Sequence, residues 1–196
     1  MKIKRPKSKQ PIPKHAKRVF KGIIFDTYQW KQRLYDGSFA TFEKIKRKST
    51  VMILPVTKDG KIILTEQEQP IEGKFIGAIG GIVDKDKNED VLEAAKRELK
   101  EEAGLEAKEW VLWDSVQLVN KIDWQVYTFV AKKLTKVKSN NPDKGENIKL
   151  FYASFDEFIK IATKNNFRDL EISIKVFRIK ENPKNLLEMK KLFNPS

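Results

Sequence analysis

Carboxylate side chains are concentrated in one short stretch of the chain, which reads DVLEAAKRELKEEAGL from Asp90 to Leu105. If this stretch is an α-helix, Glu98, Glu101 and Glu102 project within roughly 100° of one another on one face. Three like charges on one face repel, and a divalent cation bound between them removes that repulsion. Carboxylate and water oxygens are the ligands that Mg²⁺ and Mn²⁺ prefer. The pattern therefore indicates a divalent-metal site, with a solvated, charge-rich helix face as the alternative.

Local signals in the same stretch predict the helix itself. Asn88 is expected to cap its N terminus, and Glu89 and Asp90 place negative charge near the positive end of the helix dipole. Gly104 is expected just after the last helical residue, where glycine commonly adopts a left-handed conformation. Four residues supply helix propensity and an apolar stripe, namely Ala94, Ala95, Leu99 and Ala103.

The stretch and the loop before it resemble the Nudix box. That box reads Gly, five residues, Glu, seven residues, then Arg-Glu-apolar-any-Glu-Glu-any-Gly-apolar. The segment Arg97–Leu105 reads RELKEEAGL and Glu89 lies eight residues before Arg97, so every specified position from Glu89 onward is matched. Seven residues, not five, separate Gly81 from Glu89. We interpret this departure as a two-residue insertion in the loop.

The resemblance implies a reaction and a set of ligands. Nudix enzymes hydrolyse nucleoside diphosphates linked to a further group, with divalent metal ions, so a small-molecule nucleotide is the expected substrate and Mg²⁺ or Mn²⁺ the expected cofactor. Arg97 is expected to hold the helix glutamates in place through Glu89, Glu93 or Glu101, which makes Glu89 structural rather than a ligand. The implied metal ligands are the side chains of Glu98, Glu101 and Glu102 and the backbone carbonyl of Gly80 or Gly81.

Two features resemble the ADP-ribose pyrophosphatase branch of the family: a predicted β-hairpin unit before the box and an acidic loop after it. In that branch a loop glutamate activates or positions the attacking water, and Glu146 stands at the matching place. Asp143 and Asp123 are weaker candidates for this base. The proline that often follows the box in ADP-sugar enzymes is absent between residues 106 and 141.

ADP-ribose or an ADP-sugar is therefore the leading substrate class. The alternatives are a nucleoside triphosphate pyrophosphohydrolase, an RNA 5′-end pyrophosphohydrolase, and a nucleotide-sensing module without catalysis. The complete set of box glutamates disfavours the last of these. Low-ranking candidates for substrate contact are Trp30, Arg33, Arg47 and Trp124, although aromatic residues in strands more often belong to the core. In relatives of this branch the N-terminal hairpin joins two subunits, so a homodimer is expected.

Composition excludes several other chemistries. The chain has no cysteine and a single histidine, His15, so neither a Ser-His-Asp triad nor a site of several histidine or cysteine ligands can form. A general base must be a carboxylate, lysine or tyrosine. No run approaches the roughly 18 apolar residues of a membrane span, and no signal peptide follows the basic N terminus. We expect a cytoplasmic protein without membrane contact.

Net charge is +13, and residues 1–22 hold nine positive charges and no acid, which leaves +4 for the rest of the chain. We expect residues 1–17 to form a solvated, poorly ordered basic tail whose removal leaves activity on a small nucleotide unchanged. Nucleic-acid binding by this tail is an alternative that we do not favour, because no aromatic residue before Phe20 offers a stacking platform.

The remaining chain predicts an α/β fold. Strands are expected at 19–30, 51–56, 61–66, 75–79, 110–119, 124–131 and 147–153. A hairpin turn is expected at Asp36-Gly37, between 32–35 and 39–44, and Asp59-Gly60 lies between the strands 51–56 and 61–66. Ser154 with Glu157 predicts a capped helix over 155–163, and Asn182-Pro183 begins a last helix. The resemblance implies an α/β/α sandwich with a mixed sheet, preceded by a small antiparallel β-hairpin unit. The expected segments are 1–17, 18–49 and 50–196.

Overall fold

The computed structural model describes residues 3, 5–8, 10–69, 73–84, 89–137 and 147–195. Its helices are α1 Val91–Ala103, α2 Phe155–Ile161, α3 Leu170–Lys180 and α4 Pro183–Leu192. Its strands are β1 Lys17–Lys21, β2 Asp26–Arg33, β3 Phe39–Lys46, β4 Thr50–Pro55, β5 Ile62–Gln69, β6 Gly73–Gly77, β7 Ile79–Ile82, β8 Leu105–Val116, β9 Ile122–Asp123, β10 Val126–Lys136 and β11 Asn147–Ala153.

The N-terminal unit is a sheet of order β1-β2-β3-β9. The single strand predicted over 19–30 is wrong, because the chain reverses at Gly22. Its N–H donates to the Phe25 carbonyl at 2.9 Å, and a side chain at Gly22 would lie 2.5 Å from that oxygen. The predicted hairpin at Asp36-Gly37 is confirmed, with Gly37 at a φ of 88°. Strand β9, from the later part of the chain, adds to β3 in parallel.

Two further sheets form the body, with orders β7-β4-β10-β8 and β11-β5-β6. Strand β4 runs parallel to β10 and antiparallel to β7, so the predicted mixed sheet is confirmed. Alternate residues of β4 point to opposite faces. On one face, Val51 and Ile53 pack in a core cluster with the α1 residue Leu99. On the other face, Met52 and Leu54 join a cluster with helices α2, α3 and α4. These layers confirm the α/β/α sandwich.

Helix α1 is confirmed, but its N-cap is Asp90. The Asp90 carboxylate accepts hydrogen bonds from the backbone N–H groups of Leu92 at 2.8 Å and Glu93 at 2.9 Å. Asn88, the predicted cap, lies outside the described residues. Gly104 follows the helix at a φ of 62°, as predicted. The capping box of α2 and the Asn182-Pro183 start of α4 are also confirmed.

Helix α3 was not predicted, because its sequence LEISIKVFRIK is rich in β-branched residues that favour strands. Ile172 and Val176 are four residues apart, and both are buried in the core. Tertiary burial of this stripe outweighs local propensity. None of the helices in the described ranges is long and apolar enough to cross a membrane.

The described part of the basic tail contacts the folded body, where a solvated arm was expected. Arg5 Nη2 donates to Asp123 Oδ1 at 2.9 Å. Lys44 of β3 is only 2% exposed, and its ammonium group donates to Ser8 Oγ at 3.2 Å and to the Gln10 carbonyl. A buried ammonium group requires hydrogen-bond acceptors, and the tail supplies them.

Candidate active site

The guanidinium group of Arg97, on α1, is the centre of the acidic site. It forms a two-bond ion pair with Glu89, with Nε to Oε1 at 2.8 Å and Nη2 to Oε2 at 3.2 Å. Nη1 donates to Glu98 at 2.7 Å and to Glu101 at 2.9 Å. Nη2 also donates to the Ile82 carbonyl at 3.0 Å, which ties the helix to the end of β7.

These contacts shift the pKa values of Arg97 and Glu89. The hydrogen bonds to Glu89, followed by the charge of Glu98 and the bonds to Glu101 and Glu98, raise the pKa of Arg97 against the opposing effect of burial. The hydrogen bonds from Arg97 lower the pKa of Glu89 below its usual 4.5. One internal cation therefore offsets part of the repulsion among the glutamates.

Glu89 also contacts the backbone just beyond β7. Besides Arg97, its carboxylate accepts the backbone N–H of Asp84 at 3.0 Å, just beyond β7. Its side chain is 12% exposed. Glu89 therefore connects the backbone just after β7 to the side chain of Arg97 on α1.

Gly80 and Gly81 are confined by different neighbours. A Cβ at Gly81 would lie 2.1 Å from Glu98 Oε1, so only glycine lets that carboxylate rest against the strand. A Cβ at Gly80 would lie 2.2 Å from the Val51 carbonyl oxygen of β4. The Gly80 N–H also donates to Glu102 Oε2 at 3.4 Å. Each glycine therefore places one box glutamate beside the strand.

The predicted ligands share one neighbourhood without converging on one point. Within the part of the chain that the structure describes, no three acidic or histidine side chains are grouped as metal ligands. Glu98 and Glu101 both contact Arg97, and the Glu101 side chain is 38% exposed against 12% for Glu98. Glu98 and Glu102 bring carboxylate oxygens to the backbone of Gly81 and Gly80. Hard oxygen donors of this kind suit Mg²⁺ or Mn²⁺, so the residues fit such an ion chemically.

Two of the predicted substrate residues, Arg47 and Trp124, are in contact. The Arg47 guanidinium carbon lies 4.6 Å from the Trp124 ring centre, a cation–π arrangement. Trp124 Nε1 donates to Thr50 Oγ1 at 2.9 Å. Thr50 is the register partner of Ile82, whose carbonyl binds Arg97. This pair therefore adjoins the strand end that carries the acidic site.

The other two predicted substrate residues, Trp30 and Arg33, lie elsewhere within the chain. Both are on β2, where Trp30 packs against Phe42 with ring centres 6.0 Å apart. With Tyr35 they line a separate cleft of about 620 Å³ against the tail prolines. The structure does not bring them to Arg47 and Trp124 within one chain.

The candidates for the general base differ in their surroundings. Glu146 and Asp143 lie outside the described residues. The Asp123 carboxylate accepts hydrogen bonds from Arg5 at 2.9 Å and from Gln125 at 2.9 Å. These contacts give Asp123 a structural role.

Glu171 is a candidate that sequence reasoning missed. It lies in the first turn of α3, where it is 7% exposed, and burial raises its pKa while the charges of Arg47 and Arg168 oppose that shift. Arg168 lies over the Phe75 ring at 4.3 Å. The only sequence signal was an acid at the start of an apolar segment, and that segment had no predicted element.

A glycine-edged strand leading to a helix whose arginine binds an upstream glutamate, on an α/β/α sandwich, is the arrangement of a Nudix domain. The sequence profile of the NUDIX domain matches residues 46–173. The chain therefore belongs to the Nudix family, and the prediction of a Nudix hydrolase is confirmed.

Two curated relatives are similar to this chain over most of its length. The ADP-ribose pyrophosphatase of Bacillus subtilis (strain 168) is 26% identical over 171 residues, covering 83% of this chain and 90% of that protein. The methanol dehydrogenase activator of Bacillus methanolicus is 26% identical over 166 residues, covering 82% of this chain and 88% of that protein. A crystal structure of an ADP compounds hydrolase superposes with a TM-score of 0.71 at 22% identity, covering 90% of this chain and 95% of that one. At that identity the superposition establishes the fold alone.

The two adjacent glycines predict different consequences of the same substitution. Gly81→Ala should leave the protein folded but displace the Glu98 carboxylate, since the clash is with the end of a side chain. Gly80→Ala should lower the free energy of unfolding by about 1–3 kcal/mol, because the clash is with the backbone of β4. Urea denaturation and calorimetric Mn²⁺ titration of both variants separate the effects. Equal loss of stability in both would contradict this division.

The ion pair of Glu89 and Arg97 predicts a pH-dependent term in stability. The pKa of Glu89 is lowered in the folded state, so its ionised carboxylate contributes to the free energy of unfolding. This contribution is complete above about pH 4.5, the usual pKa of glutamate, and is lost as the pH falls through the lower pKa of the folded state. Glu89→Gln should cost about 2 kcal/mol at pH 7, and its difference from wild type should shrink below pH 4.5. Urea denaturation across this pH range measures it, with the exposed Glu93→Gln as control. A difference that does not change with pH would exclude the pair as its source.

Proposed function

We propose that this protein is a divalent-metal-dependent pyrophosphohydrolase of ADP-ribose or an ADP-sugar. The observation that carries the proposal is the arrangement around Arg97, which binds Glu89 and places Glu98 beside Gly81. The similarity to a curated ADP-ribose pyrophosphatase over 83% of the chain supports the substrate class.

The residues proposed to hold Mg²⁺ or Mn²⁺ are Glu98 and Glu102, with Glu101 beside them and the backbone carbonyl of Gly80 or Gly81. When bound, such an ion neutralises phosphate oxygens and lowers the pKa of a coordinated water. Arg97 binds Glu98 and Glu101 and holds their carboxylates in place, which is a positioning role. Glu146 is proposed as the base that takes the proton of the attacking water.

Arg47 and Trp124 are proposed to contact the nucleotide beside this site. A guanidinium group stacked on an indole keeps its edge N–H donors available for phosphate or hydroxyl oxygens. Burial lowers the pKa of Arg47, and the charge of Glu171 opposes that shift. Arg47 nevertheless stays protonated, because arginine does not titrate in the physiological range. It therefore supplies a fixed positive charge near the strand end that carries the acidic site.

One tail cation is used in a contact with the folded body, where an RNA-binding arm would use it for phosphate. An arm that binds RNA phosphates needs cations turned to solvent. In the described residues, Arg5 is paired with Asp123, and the Pro11 and Pro13 segment lines a cleft against β2. These tail residues therefore contact the folded part of the same chain.

Removal of one box charge tests the metal proposal. Glu102→Gln should lower kcat/KM at least about a hundredfold, since metal charge stabilisation is worth several kcal/mol and each 1.4 kcal/mol is tenfold. Stability should be unchanged, because glutamine can still accept the Gly80 N–H. Glu93→Gln, on the same helix and paired with Lys96, should keep wild-type activity.

The assay compares ADP-ribose, ADP-sugars, nucleoside triphosphates and triphosphorylated RNA, each with Mg²⁺ and Mn²⁺. Wild type should act best on ADP-ribose or an ADP-sugar. Near wild-type turnover by Glu102→Gln would contradict the metal assignment, and a preference for triphosphates would contradict the substrate class.

A homodimer is proposed through the N-terminal sheet. Large apolar side chains are exposed at both ends of this sheet. Val19, Phe20, Ile23 and Ile24 lie at or beside the turn between β1 and β2, and Leu34, Tyr35 and Phe39 lie at or beside the turn between β2 and β3. Groups of exposed apolar side chains commonly mark a protein interface. Trp30 and Arg33 belong to the same unit, so a second copy is the route by which they would reach a nucleotide.

Charged substitutions at this surface test the dimer. Phe20→Glu and Tyr35→Glu should each shift the protein from dimer to monomer, because a carboxylate buried in an apolar interface is costly. The control is Leu187→Glu on α4, an apolar position outside this sheet that is about as exposed as Phe20. Light scattering after size exclusion gives the mass of each variant. A monomeric wild type at micromolar concentration would exclude the proposal.

A further inference from the structure

We propose that Arg5, Ser8 and Gln10 of the N-terminal tail form a positioning element for nucleotide binding. Their contacts with Asp123 and Lys44 fix the segment that presents Trp124 to Arg47. The inference rests on the proposed function, in which Arg47 and Trp124 contact the substrate. It replaces the expectation that the tail is dispensable.

The first contact joins Arg5 to Asp123. Arg5 Nη2 lies 2.9 Å from Asp123 Oδ1, and the Arg5 side chain is half exposed while Asp123 is buried. The same oxygen accepts Gln125 Nε2 at 2.9 Å. Asp123 is thus held both by the tail and by Gln125, two residues further along the chain. An ionised acceptor makes both hydrogen bonds stronger than neutral ones.

The residues on either side of Trp124 are tied to the chain around Arg47. The Asp123 carbonyl accepts the N–H of Arg47 at 3.3 Å, and the Gln125 carbonyl accepts the N–H of Thr50 at 2.9 Å. Gln125 is buried and its amide Oε1 accepts Ser49 Oγ at 3.4 Å. The backbone of Trp124 is therefore fixed on both sides, which sets the position of its ring against Arg47.

The second tail contact satisfies Lys44. Its ammonium group donates to Ser8 Oγ and to the Gln10 carbonyl, and both acceptors belong to the tail. Burial lowers the pKa of Lys44, and the charge of Asp123 opposes that shift. Without the tail, Lys44 would lose these acceptors beside Asp123. The buried ammonium and the carboxylate would then rearrange, and Trp124 with them.

The test compares the effect on KM of removing two arginine–aspartate pairs, Arg5 with Asp123 and Arg18 with Asp26. Arg5→Ala should raise KM for ADP-ribose about tenfold with kcat within about twofold, since a charged hydrogen bond to a buried partner is removed. Arg5→Lys should recover part of the loss. The double variant Arg5→Ala, Asp123→Asn should have a KM close to that of either single variant, because both changes remove the same contact. Arg18→Ala, which removes the exposed pair with Asp26, should leave KM unchanged.

A second measurement does not depend on catalysis. The difference between each protein and its Trp124→Phe counterpart isolates the fluorescence of Trp124. Arg5→Ala should increase acrylamide quenching of that signal, and Arg18→Ala should not. A general loss of structure would instead change the quenching of Trp30, Trp110 and Trp113 as well.

The outcomes separate the two proposals. Wild type that fails to hydrolyse ADP-ribose or an ADP-sugar would contradict the proposed function, and the quenching comparison would still decide the tail contact. Active wild type with an Arg5→Ala KM and Trp124 quenching equal to those of Arg18→Ala would overturn the positioning role alone. A large fall in kcat with KM unchanged would also overturn it.

Discussion

The guanidinium group of Arg97 joins strand β7, helix α1 and a residue just before the helix through hydrogen bonds. Its partners come from the loop before the helix, from the helix itself and from the end of the strand, namely Glu89, Glu98, Glu101 and the Ile82 carbonyl. A planar group with five donors can bind these acceptors together, whereas the ammonium of lysine has three donors around one point. The geometry of the acidic site therefore follows from one side chain and its hydrogen bonds.

The glycines of β7 set the other limit on this geometry. Successive residues of a strand face opposite sides, so Gly80 and Gly81 meet different obstacles. Gly80 allows close approach of β4, and Gly81 allows close approach of the Glu98 carboxylate. Both contacts require that the residue has no side chain, because a Cβ would occupy the space that the neighbouring atom fills. The Gly-Gly pair is consequently as informative about the site as the glutamates are.

Features with short sequence separation were predictable, and features that depend on distant contacts were not. The box and α1 lie within one segment, so spacing alone indicated them. Asn88 and Asp90 are both good caps, and composition could not choose between them. Helix α3 is stabilised by burial against the sheet, which overrides its β-branched composition. Arg5 and Asp123 meet across 118 residues, a contact that no local pattern indicates.

Arg97 fixes the site's geometry but cannot balance its charge. Its single positive charge faces three carboxylates, those of Glu89, Glu98 and Glu101, which leaves two negative charges before Glu102 is counted. The net charge of +13 can attract an anionic substrate from a distance, but this field is screened beyond about 10 Å at 0.1 M salt. At contact distance a diphosphate would meet this group of carboxylates. In the proposed reaction a divalent cation would supply the positive charge that the guanidinium group does not. Geometry and charge balance therefore fall to different groups in the proposed reaction.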